Sequence, residues 1–83
     1  MMNEPRTSLP DDAIPTPEQI KFARTTLGRT QEGMAKLVGT STASWGRWER
    51  DAKIVPLKIF REKLVKLYNY AIKFDKNQDA KNA

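Results

Sequence analysis

The stretch TQEGMAKLVGTSTASWGRWERD, Thr30 to Asp51, holds two helical runs with separate start signals and a glycine between them. Thr30 is an N-cap, with a hydroxyl placed to accept from a first-turn N–H. Met34, Leu37 and Val38 follow at helical spacing and face inward. Gly39 ends the run, because a residue without Cβ turns the chain through the left-handed region at little cost. Ser41 then caps a second run that carries Trp45 and Trp48 and ends near Asp51.

Two short helices joined by a brief glycine turn have the sequence form of a helix-turn-helix. Projected at about 100° per residue, Trp45, Trp48, Glu49 and Ala52 share the inner side of the second helix. Ala43, Gly46, Arg47 and Arg50 lie opposite, with Thr42 and Ser44 on the N-terminal flanks. The tryptophans therefore read as core anchors rather than as a surface for stacking bases. Small outer residues permit close approach to a base-pair edge, and Arg is the best bidentate reader of guanine. The helix N-terminus with Thr42 can donate to phosphate. The plainer alternatives are a surface ion pair for Arg47, a solvated charge for Arg50, helix-start roles for Thr42 and Ser44, and a neutral spacer at Ala43.

Upstream, Thr16-Pro17-Glu18-Gln19 reads as a capping box with proline at the first helical position. Ile20, Ala23 and Leu27 give that helix its inner face, and Gly28 stops it. Residues 1–15 contain Pro5, Pro10 and Pro15 and read as an irregular arm, ahead of a core over 16–56 whose second paired helix covers about 42–50. Pro56 opens a long helix over 57–75, and the polar residues 76–83 are expected to fray. No stretch alternates like a strand, so the expected fold is all-α.

The chain has 83 residues and a net charge of +5, with the first fifteen residues at −2 and the positive charge concentrated after them. A basic folded part suits a polyanionic partner. Cysteine and histidine are both absent, which removes disulfides, thiolate zinc and the commonest general base. With no glycine-rich phosphate loop and no clustered carboxylates either, the expectation is no enzyme, no catalytic residue, no metal and no cofactor. No apolar run is long enough for a membrane span, and MMNEPRTSLPDDAIP lacks the apolar core of a signal peptide. A cytoplasmic protein is expected.

The same central stretch resembles the helix-turn-helix of the Cro/cI-type (XRE) family of phage and bacterial regulators. The resemblance rests on Thr30-Gln31, Ala35, Gly39-Thr40-Ser41 and Arg47-Trp48-Glu49, and covers about residues 17–56. It implies a lambda-repressor-like domain with a long C-terminal helix, in a bacterial nucleoid-associated, phage-encoded or plasmid-encoded protein. It further implies base contacts from Thr42, Ala43, Ser44 and Arg47, and phosphate contacts from Gln31, Ser41 and Arg50. Arg24 and Glu49 would form an ion pair clamping the first helix to the third. Arg29 stands where the family has an apolar residue, so it is expected to reach phosphate. Trp45 replaces a smaller residue, so its outer edge is expected to be partly exposed. Gly33 weakens its helix by about 1 kcal/mol relative to Ala, and Asp51 replaces the family's glycine cap.

In PLKIFREKLVKLYNYAIKF, residues 56–74, one apolar stripe completes the core through Leu57, Phe60 and Leu64. Its distal part, Leu67, Tyr68, Ala71, Ile72 and Phe74, has no partner evident in the sequence. Self-association through it is expected, against the alternative of folding back onto the arm. The whole reading is a dimeric repressor that binds an inverted-repeat operator in double-stranded DNA. The alternative is an antitoxin or other module that binds a protein partner and also regulates its own operon.

Overall fold

A computed structural model describes the backbone of residues 6–82 and the side chains of residues 6–77. Four helices account for its regular structure: α1 (Pro17–Thr26), α2 (Gln31–Val38), α3 (Thr42–Arg50) and α4 (Lys58–Asn82). No strand occurs among the described residues, so the architecture is all-α.

The first three helices start as their sequences dictate. The Thr16 hydroxyl accepts from the Gln19 N–H while the Gln19 side chain accepts from the Thr16 N–H, which closes the capping box. The Thr30 and Ser41 hydroxyls accept from the N–H groups of Gly33 and Ser44. Each cap satisfies a first-turn donor that has no partner within its helix. Gly39 has φ +87°, and its N–H and that of Thr40 close onto the Ala35 carbonyl at 2.9 and 2.8 Å. The chain thereby turns from α2 into α3 within three residues.

α3 lies against α1 and α2, and α4 lies mainly against α1. The larger buried cluster gathers Ile20 of α1, Met34, Ala35 and Val38 of α2, Trp45 and Trp48 of α3, and Leu64 of α4. Lys63 adds a polar tie, donating to the Val38 carbonyl at the end of α2 over 3.1 Å. Trp45 is fully buried, so the exposed edge expected of it is absent. Its ring packs on Trp48 at 5.9 Å between centroids, and Trp48 packs on Phe60 at 5.5 Å.

Other expectations also require correction. Leu37 is exposed, because Ala35 takes the inner position beside Met34 and Val38. Leu57 is exposed too, because it precedes the first turn of α4 and its side chain stands off the inner stripe. Ala52 is exposed because α3 ends at Arg50. Residues 76–82 continue α4 instead of fraying, and no glycine or proline after Pro56 interrupts them.

The largest correction concerns the distal stripe of α4. Tyr68, Ala71 and Ile72 are buried within one chain, against Ala23 and Phe22 of α1 and Leu9 of the arm. Leu67 is half-buried against the larger cluster, and Phe74 is half-buried. The stripe is therefore not the free face that pairing of two chains would need. The arm reaches it because Asn69 mimics a strand neighbour, accepting from the Leu9 N–H at 2.8 Å and donating to the Leu9 carbonyl at 3.0 Å. Arg6 adds a cation–π contact, 4.0 Å from the Phe22 ring centroid, and reaches Glu18 at 3.5 Å. Residues 1–5 of the arm lie outside the described residues.

Candidate functional site

The residues singled out for chemistry converge on α3, whose inner side is organised by one carboxylate. Glu49 Oε2 accepts from Arg24 Nε at 2.6 Å and from Trp45 Nε1 at 2.6 Å. Its Oε1 accepts from Arg24 Nη2 at 3.1 Å and from Gln31 Nε2 at 3.2 Å. Four donors from α1, α2 and α3 thus meet on a side chain that is only 5% exposed. Burial opposes ionisation of Glu49, but the hydrogen bonds from Arg24, Trp45 and Gln31, with the charge of Arg24, outweigh it and lower its pKa. The same hydrogen bond raises the pKa of Arg24, against the penalty of burial. Arg24 also donates from Nη1 to the Arg29 carbonyl at 3.2 Å, which fixes the turn between α1 and α2.

The outer side of α3 has the opposite character. Thr42, Ala43, Arg47 and Arg50 are exposed, as is Arg29 in the turn before α2. Among the described residues, no hydrogen bond or ion pair engages the side chains of Thr42, Arg47, Arg50 or Arg29. Ser44 is half-buried and tied to the cap, since Ser41 Oγ donates to Ser44 Oγ at 3.0 Å while accepting from the Ser44 N–H. Ser41 itself is exposed, but its hydroxyl is committed to closing the helix end.

Gly46 departs from the helical projection, for it is buried rather than outward. A Cβ built there would lie 3.3 Å from Arg50 Nη1 and 3.7 Å from Gln31 Oε1. The Arg50 guanidinium therefore folds back over Gly46, one turn earlier on α3, where the Gln31 side chain of α2 also lies close. Gln31, expected to touch phosphate, is half-buried and donates from Nε2 to Glu49, which ties the start of α2 to α3.

The sequence reading did not identify Trp45 as a donor to Glu49 or Gly46 as the seat of Arg50. Both are i, i+4 relationships on α3, a spacing at which side chains meet, so the signal was present. What hid it was reading the tryptophans as purely apolar and the glycine as one of the small outward residues.

Among the described residues, no group of carboxylates fits a metal ion, and no helix is long and apolar enough to cross a membrane. A shallow cleft of about 220 Å³ between the arm and α4 is lined by Asp11, Asp12, Lys58, Arg61 and Glu62, and no residue of α3 borders it. Neither a protein-family model, nor a curated protein, nor a solved structure matches the chain.

Proposed function

We propose that this chain is a sequence-specific regulator that binds double-stranded DNA, with α2, the Gly39 turn and α3 acting as a lambda-repressor-like helix-turn-helix. α3 enters the major groove. Thr42, Ala43 and Arg47 read base edges, with Ser44 beside them. Arg50, Arg29, Gln31 and the capped N-terminus of α3 at Ser41 contact phosphates and set the register. Two copies on an inverted repeat occlude a promoter, which makes the chain a repressor.

One observation carries this reading. Free guanidinium groups and small side chains occupy the exposed face of a helix whose buried face is locked by four hydrogen bonds to Glu49. A solvated basic face gains nothing from such rigid backing, whereas base readout needs side chains held within a fraction of an ångström.

Selection of bound sites from a random DNA pool tests it. The expected result is an inverted repeat with half-site centres about one helical turn, roughly 34 Å, apart. Affinity should fall steeply with salt, as counterion release requires. Recovery of no enriched sequence, with weak binding that salt leaves unchanged, would remove the proposal.

A further inference from the structure

Three of the four helices begin at a hydroxyl cap, and the fourth begins at Leu57. The Leu57 carbonyl accepts the first bonds of α4 from Phe60 and Arg61, each at 2.9 Å, which places Leu57 at the N-cap. A leucine there offers the first-turn N–H groups no acceptor, and α4 has no acid in its first turn to compensate. Its side chain is also 68% exposed. Two local rules are broken at one residue, and no contact among the described residues compensates; positions of this kind are expected at functional surfaces.

Leu57 is not isolated. Of seven large apolar residues exposed among the described side chains, four lie within six positions: Ile54, Val55, Leu57 and Ile59. With exposures from 41 to 68%, they leave on the order of 300 Å² of apolar surface in one segment, in the range of a monomer's largest patch, which is often functional. Asp51, Lys53 and Lys58 border it and are exposed.

We propose that Ile54, Val55, Leu57 and Ile59 form the contact between two copies of this chain. An apolar centre with both signs of charge at its edge complements itself across a two-fold axis. The segment also follows α3 directly. An axis through it brings the C-terminal ends of two α3 helices together and leaves the ends bearing Thr42 and Ala43 outermost. An inverted repeat needs two such helices related by a two-fold axis. The choice of a second copy as occupant rests on the DNA reading; the exposed patch does not.

Sedimentation of the full chain without DNA, from micromolar to hundreds of micromolar, tests the contact. The wild type is expected to dimerise. Leu57→Asp supplies a cap and removes the apolar centre, so thermal stability should rise while dimer affinity falls at least about tenfold. Ile59→Glu places an acid in the first turn of α4 and should act likewise. Tyr70→Glu, at another exposed apolar position of α4, should leave dimerisation unchanged. The proposal fails if the wild type stays monomeric, if both patch variants dimerise normally, or if Tyr70→Glu weakens the dimer as much as they do. A dimer that loses affinity in the patch variants yet selects no DNA sequence supports the contact and removes the DNA reading. A monomer that binds DNA tightly does the reverse.

Discussion

The Trp45 indole Nε1–H donates a 2.6 Å hydrogen bond to Glu49 Oε2, one turn further along α3. The most deeply buried aromatic ring of the chain therefore serves the polar network as well as the apolar core. Each of its two roles can be removed separately.

Trp45→Phe keeps most of the buried ring and deletes the donor. A buried carboxylate oxygen then loses one of two partners, and stability should fall by about 1–3 kcal/mol beyond the loss of ring volume. Trp48→Phe deletes an indole that makes no hydrogen bond among the described residues and should cost less. Urea denaturation of the two variants compares them, and equal losses would refute a structural role for the Trp45 donor.

The state of Glu49 links folding to pH. Its pKa is lower in the folded chain than in the unfolded one. Its contribution is therefore complete above the unfolded carboxylate value of about 4.3 and is lost as pH falls through the lower folded value. Glu49→Gln should flatten the acid limb of a stability–pH curve and lower stability at neutral pH. Denaturant titrations between neutral pH and about pH 3 would check both. An unchanged acid limb would mean that other carboxylates carry it.

Arg47 and Arg50 are assigned different tasks on the same exposed face. Arg47→Ala should reduce affinity for the selected site by about 1–3 kcal/mol and relax preference at one base pair. Arg50→Ala should weaken binding to all sequences alike and reduce the salt dependence. Binding assays on matched and mismatched duplexes distinguish them, and identical profiles would remove the base contact assigned to Arg47.

Gly46→Ala sets stability against binding. The added methyl favours the helix by about 1 kcal/mol, but it would stand 3.3 Å from Arg50 Nη1 and push the guanidinium aside. The expected variant melts higher and binds DNA more weakly. If affinity is unchanged while melting rises, the seat of Arg50 on Gly46 is immaterial to binding.

Local signals made much of the fold legible. Thr16, Thr30 and Ser41 announced three helix starts that their hydroxyls now cap, and Gly28 and Gly39 marked stops where φ is positive. Both features act within four residues, so a sequence displays them directly. The fate of the distal α4 stripe could not be read in this way. Apolar spacing at Tyr68, Ala71 and Ile72 specifies burial without specifying the surface that provides it. The deciding contact is Asn69 with the Leu9 backbone, sixty residues apart in the chain. Leu57 was misplaced for a related reason, since extending the α4 stripe one residue backward ignores that the chain is not yet helical there. In the candidate site, helical projection placed Ala43, Arg47 and Arg50 outward, where they lie. It failed at Gly46, whose burial comes from other residues lying over it.

The pairing of Asn69 with Leu9 also orders events in time. Every donor to Glu49 resides before residue 51, so the growing chain holds that network's components before α4 is synthesised. The arm is made first, yet the backbone of Leu9 meets its hydrogen-bonding partner only once Asn69 has been made. The two hydrogen bonds that seat Leu9 therefore join the beginning of the described chain to a residue made sixty positions later.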